Sequence, residues 1–162
     1  MTITFSSPGG PMFFRNWQNN ILAVLMAVAF ICGFHYPMVW NVYDFNHLLY
    51  IFSHANIFHL LANVFVLLSF GKSVNAFAWL AAVAASFLPM PNVPTVGMSA
   101  LLFAHLGTTW APTKGLGIMC RKILPWTVVF GLLPGINLLI HIYALFLGYA
   151  FMYVYYHFIK SN

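Results

Sequence analysis

A serine, four histidines and two asparagines sit in segments that are otherwise largely apolar. They read His54-Ala-Asn-Ile-Phe-His59-Leu-Leu-Ala-Asn63, then Gly97-Met-Ser99-Ala-Leu-Leu-Phe103-Ala-His105, then His141-Ile-Tyr-Ala144-Leu-Phe-Leu-Gly148. A serine hydroxyl is a weak nucleophile until a base takes its proton, and histidine is the usual base near neutral pH. Ser99 and His141 are therefore a candidate nucleophile and base for acyl transfer. That reaction also needs donors aimed at the oxyanion developing on the attacked carbonyl, and the Ser99 backbone N–H, the Asn63 amide and the His59 ring can supply them. The one carboxylate, Asp44, lies outside these segments, so a dyad is expected rather than a Ser-His-Asp triad. Phe103, four residues after Ser99 and on the same helix face, can stack on the His141 ring where an acid would otherwise orient it.

The spacings say what must hold these groups. His59 and Asn63, four apart, share one helix face, a turn deeper than His54. Ser99 stands at or near a helix start, where free N–H groups collect and negative charge is favoured. His141, Ala144 and Gly148 fall at i, i+3 and i+7, a stripe whose small residues let another helix approach closely.

Composition names the solvent. Of 162 residues, 62% are apolar and 4% charged, six Lys+Arg against one Asp+Glu, whereas a soluble domain needs about a quarter charged. Mean hydropathy is +0.88. These figures exclude a disordered chain, a disulfide-stapled secreted domain and a nucleic-acid binder, which need polarity, many Cys or a dense basic patch. The apolar runs do not alternate with polar residues as barrel strands would, so an all-α polytopic membrane protein is expected. Six spans fit one domain over 1–162, at about 17–34, 48–70, 74–90, 97–111, 122–134 and 137–158. Pro89, Pro91, Pro94 and Gly97 before the fourth, and Pro134 and Gly135 after the fifth, predict loops that dip into the membrane. With both termini cytoplasmic, Arg15, Lys72, Lys114, Arg121, Lys122 and Lys160 all fall inside and Asp44 outside, in keeping with the positive-inside tendency. The second, fourth and sixth spans then run the same way, which brings His54, His59, Ser99 and His141 to one depth in the outer half. The first apolar run has no basic n-region and no A-x-A-like site, so it reads as a retained span. Cys32 and Cys120 fall at opposite ends and are not expected to pair.

Taken together, H-x4-H-x3-N in the second span, G-x-S opening the fourth and H-x2-[A/G]-x3-G in the sixth resemble the rhomboid family of intramembrane serine proteases, over most of the chain from about residue 47 to 148. The resemblance implies a six-helix bundle in which Ser99 is the nucleophile and His141 the general base and acid. Asn63, His59 and the Ser99 amide would form the oxyanion hole. His54, Gly97, Phe103, Ala144 and Gly148 would support the site. The chain carries Ala100 and Ala144 where many members have Gly, and Phe103 where many have Tyr. The first loop, about 35–47, is short and lacks the Trp-Arg pair that many members carry. The reaction implied is hydrolysis of peptide bonds in or next to transmembrane segments of other membrane proteins, with a small residue before the scissile bond. No cofactor and no metal are expected. The partners expected are transmembrane substrates and the lipid bilayer, with no nucleic acid; no oligomeric state is indicated. The location expected is a bacterial inner (cytoplasmic) membrane.

Two rivals compete with this reading. A catalytically silent relative that binds transmembrane helices would normally have lost the Ser or the His, and both are present. A metal or haem protein could use inward histidines, but His54 and His59 are five apart, poorly placed for joint ligation from one regular helix, and no acid or Cys accompanies them. A second G-x-S, Gly71-Lys72-Ser73, lies beside a charge at a span end and reads as a polar helix terminus. His35, His47 and His157 read as solvated interfacial residues, and His105 as helix packing.

Overall fold

A computed structural model of the chain describes residues 16–131 and 136–159, the side chains of 130 and 131 excepted. Arg15, Pro134, Gly135 and Lys160 lie outside the described residues. Among those residues the protein is all-helical, with eight α-helices and no strand. Three of the helices start at an asparagine. Asn16 accepts from the Gln18 N–H and opens α1 (Trp17–Ile31). Asn56 accepts from His59 N–H and opens α3 (Ile57–Ser69). Asn75 accepts from Ala78 N–H and opens α4 (Ala76–Ser86). Each cap satisfies a backbone donor that has no partner within its own helix, which matters most where water is scarce.

The run expected as one span at 48–70 is two elements. α2 (Asn46–Leu49) and a 3-10 turn (Tyr50–Phe52) meet α3 at 85°, and His54 sits in the break. The polar run Ser53-His54-Ala55-Asn56 is the cause, because the Ser53 hydroxyl accepts the Tyr36 N–H at 2.8 Å and Asn56 caps the next helix. The later helices are α5 (Ser99–Trp110), α6 (Leu116–Lys122), α7 (Leu124–Gly131) and α8 (Leu138–Val154), which continues into one π turn over Tyr155–Ile159. α6 occupies part of what reads in the sequence as a plain connection.

The bundle is centred on α5 against α8. A Cβ on Gly148 would collide with the Ala104 carbonyl oxygen and stand 3.0 Å from its Cα, and one on Gly107 would stand 2.7 Å from Tyr149 N. Only glycine at both places lets the two backbones meet this closely. α4 packs on the pair through Ala78, Ala81, Ala82 and Ala85, all fully buried. Directions follow from who touches whom. Ser99 meets His141 and Ala104 meets Gly148, so α5 and α8 are parallel. Phe70, just past α3, packs its ring on His105, and Gly97 lies against His59, so α3 runs with α5. The Asn75 amide donates to Thr108 Oγ1 at 2.9 Å, which sets α4 antiparallel to α5. Asn19, 2% exposed, donates to the carbonyls of Leu67 and Lys72, and α1 is therefore antiparallel to α3.

The exterior is strongly apolar, and polar side chains are buried beside the hydrophobic core. Buried side chains include Asn19, His47, Ser86, His105, Thr108 and His141, while Ile21, Val24, Leu25, Val28 and Ile31 of α1 and Phe58, Leu61 and Phe65 of α3 face outward. The helix with its π turn, Leu138–Ile159, is long and apolar enough to cross a membrane. So is the bent pair Asn46–Phe52 and Ile57–Ser69 when taken together, and α1 and α4 are shorter apolar helices.

Candidate functional site

Ser99 is the first residue of α5, and His141 lies in the first turn of α8. Parallel packing of these two helices brings their ends together, and His141 Nε2 lies 2.7 Å from Ser99 Oγ. With the ring proton on Nδ1, Nε2 accepts the Ser99 hydroxyl proton, which is the arrangement general-base activation requires. The Phe103 ring lies against the imidazole, 4.9 Å between centroids and tilted by 41°, an inclined contact rather than a parallel stack. Asp44 does not take part. Its carboxylate accepts the Asn46 backbone and side-chain N–H at 2.8 and 3.0 Å in the first loop.

The donors converge from α3. Asn63 is buried, and its Nδ2 has no hydrogen-bond partner among the described residues although it lines the same cavity as Ser99 and His141. An unpaired amide N–H₂ in an apolar setting is costly unless something else uses it. His59, one turn earlier, also lines the cavity. Gly97 fixes how near His59 can come. Its φ of +111° is a backbone conformation L side chains rarely adopt, and a Cβ there would stand 2.5 Å from His59 Cε1 and 2.8 Å from Nε2. The Gly97 N–H donates to the Tyr50 carbonyl at 2.9 Å, which ties the loop before Ser99 to the bent second element.

His54 is 3% exposed, its Nδ1 lies 3.3 Å from the Phe52 carbonyl, and its ring meets His59 edge-on at 5.4 Å. It meets the site through His59. Ala144 and Gly148 are buried on the α8 face that meets α5. Ser99, His141, His59, Asn63 and Phe103 line one cavity, His54 and Gly97 lie against His59, and Ala144 and Gly148 belong to the α5–α8 contact. The histidines do not gather as ligands: among the described residues no three His, Cys, Asp or Glu side chains are grouped to hold a metal ion.

Several supporting contacts were beyond the sequence reading. The Asn137 amide donates to Thr95 Oγ1 at 2.9 Å, joining the loop ahead of Ser99 to the start of α8, and Thr95 and Met38 exchange backbone hydrogen bonds of 2.8 and 2.9 Å. The Tyr143 hydroxyl donates to the Pro89 carbonyl at 2.8 Å, a second tie across the same gap. Gly107 has the same role as Gly148 from the opposite helix, and its eight-residue spacing from Ser99 was the available signal. His47 is a correction. Instead of being solvated at an interface it is fully buried, stacked on Phe87 at 4.1 Å, with Nδ1 2.9 Å from Ser86 Oγ and Nε2 2.8 Å from the Val42 carbonyl. The loop it anchors supplies its own acceptor, which makes burial tolerable.

These groups lie at a cavity of about 380 Å³ lined from α3, α5, α7 and α8, mostly by apolar side chains. A scan against protein-family models and a search of curated proteins returned no match for this chain.

Proposed function

We propose that this chain is an intramembrane serine protease of the rhomboid type that cleaves peptide bonds in or next to transmembrane segments of other membrane proteins. The observation that carries the reading is the 2.7 Å contact between Ser99 Oγ and His141 Nε2, from two helices, beside a cavity also lined by His59 and Asn63, the latter with a buried amide nitrogen that has no partner among the described residues. Ser99 Oγ attacks the scissile carbonyl carbon while its proton passes to His141 Nε2. The oxyanion takes hydrogen bonds from Asn63 Nδ2, the His59 ring and the Ser99 backbone N–H, each such donor contributing about 10²- to 10³-fold in rate. The C–N bond then breaks, His141 returns the proton to the departing amine, and a water activated by the same ring hydrolyses the acyl-enzyme.

The membrane reading rests on the large apolar exterior, with polar groups such as Asn19, His105 and His141 kept inside the bundle, which suits lipid better than water. Six spans follow if α1, the bent pair ending in α3, α4, α5, the α6–α7 segment and α8 each cross. The parallel run of α3, α5 and α8 then puts Ser99 and His141 toward the outer face of a bacterial inner membrane, opposite Lys72 and Lys114. An α-helical substrate hides its carbonyls in its own hydrogen bonds, so cleavage requires local unwinding near its outer end, and helix-weakening residues there favour it.

The test is cleavage of a co-reconstituted transmembrane substrate, together with labelling of Ser99 by a fluorophosphonate in detergent or liposomes. Ser99→Ala and His141→Ala each abolish cleavage, and Ser99→Ala also abolishes labelling, in protein that remains folded. Full activity in either variant defeats the dyad.

A further inference from the structure

Four asparagines occupy the position just before an α-helix, and one of them behaves differently from the rest. Asn16, Asn56 and Asn75 each turn the side-chain oxygen back to accept a backbone N–H of the helix they open. Asn137 holds the same position ahead of α8 and makes no such cap. Its amide reaches instead to the loop that precedes α5, donating to Thr95 Oγ1 at 2.9 Å and to Met90 Sδ at 3.0 Å. Asparagine is among the strongest N-caps, so the start of α8 forgoes a favourable bond within its own turn for one that crosses to another element.

The far end of that bond is itself held. Thr95 is buried, and its backbone N–H and C=O both pair with Met38 of the first loop, at 2.8 and 2.9 Å. The Thr95 hydroxyl donates to the Val93 carbonyl at 3.0 Å, which leaves its oxygen to accept from Asn137. Thr95 lies four residues ahead of Ser99, and Asn137 four ahead of His141. The two stretches are therefore joined twice, at 2.9 Å by amide and hydroxyl and at 2.7 Å by imidazole and hydroxyl. On the other side of the dyad, about 10 Å further along α8, Gly148 backs onto Ala104. His141 thus sits between two fixed points of its helix. With the deeper point alone, the outer end of α8 is free to swing, and the swing carries the imidazole away from Ser99.

Resting on the function proposed above, we propose that Thr95 and Asn137 are positioning residues: their hydrogen bond clasps the start of α8 to the loop that leads into Ser99 and so sets the Ser99–His141 distance. Neither takes part in the bond changes. Both line the cavity, so a direct hold on substrate is the alternative to be separated.

The experiment uses the purified full chain with Asn137→Leu, Thr95→Val, Thr95→Ser and the double variant Thr95→Val with Asn137→Leu. The rate of Ser99 modification by a small fluorophosphonate is measured beside kcat and KM for a co-reconstituted transmembrane substrate, with melting temperatures on the same preparations. Asn137→Leu and Thr95→Val are each expected to lower kcat and the modification rate by at least about tenfold, toward the roughly 10² that a 1 Å misplacement costs. KM is expected to stay unchanged. Thr95→Ser, which keeps the hydroxyl, is expected to retain the rate. The double variant is expected to be no slower than the slower single one, because all three lose the same bond. A raised KM at unchanged kcat makes these residues substrate contacts and overturns the clasp. Losses that multiply in the double variant, wild-type rates in both singles, or a Thr95→Ser rate as low as that of Thr95→Val also overturn it. If Asn137→Leu does not fold, the comparison of Thr95→Val with Thr95→Ser decides alone. Wild-type protein whose Ser99 takes up no fluorophosphonate removes the proposed function, and the clasp with it, before any variant is compared.

Discussion

Gly148 lies seven residues beyond His141, about 10 Å along α8, and touches neither member of the dyad, yet adding one methyl group there should silence the site. The Cβ of Gly148→Ala falls onto the Ala104 carbonyl, with Ala104 C and Cα both at 3.0 Å. Ordinary carbon contacts begin near 3.4 Å, so α5 and α8 must part, and neither backbone can yield as a flexible side chain would. Ser99 rides on one helix and His141 on the other, so parting lengthens a bond that starts at 2.7 Å. A displacement of about 1 Å breaks it, and misplacement of that size typically costs about 10² in rate. The overpacking also costs about 1–3 kcal/mol of stability. The assay is the second-order rate of Ser99 labelling by a fluorophosphonate beside the rate of substrate cleavage, with thermal unfolding measured on the same preparation. Gly117→Ala is the control, because nothing stands within 4 Å of a Cβ there. Gly148→Ala at the wild-type labelling rate, with its melting temperature unchanged, would refute the claim that close backbone approach sets the Ser–His distance.

Other perturbations probe separate parts of the structure. Asn63→Ala should lower kcat by about 10²- to 10³-fold with little change in melting temperature, since its Nδ2 has no partner among the described residues to lose. Equal loss of stability and activity would mark it as a packing residue instead. Gly97→Ala should remove activity, because it both strains a φ of +111° and drives a Cβ into His59; normal turnover would show that the loop has another conformation available. His47→Ala should cost about 2 kcal/mol or more through two lost hydrogen bonds and a ring stack, seen as a lower melting temperature, and an unchanged melting temperature would contradict the anchoring of the first loop. Topology can be read from the native thiols: a membrane-impermeant maleimide added to intact cells should label Cys32, which is exposed just past α1, and spare Cys120 on α6. The reverse pattern would invert the proposed orientation.

Much of the site is visible in the chain because an apolar setting penalises polar groups. Within runs as apolar as these, His59, Asn63, Ser99 and His141 need a reason to be there, and their helix periodicity already says which share a face. The small stripe Ala144–Gly148 likewise announces a close helix neighbour. The break at Ser53–Asn56 is less apparent, since hydropathy averages over it, although Asn56 is a good cap.

Composition and local pattern by themselves settle that the protein is helical and which side chains could do chemistry, because both depend on the cost of a residue in its own few turns. Only the tertiary structure decided that α5 and α8 run parallel with Ala104 against Gly148, that Thr95 joins Asn137, that His47 is walled in by Phe87 and Ser86, and that one cavity is lined by Ser99 and His141 together with His59 and Asn63. Those facts depend on backbones far apart in the chain meeting at a particular distance and register. That distance is set by the few atoms at the crossing, and no periodicity within a single helix encodes it.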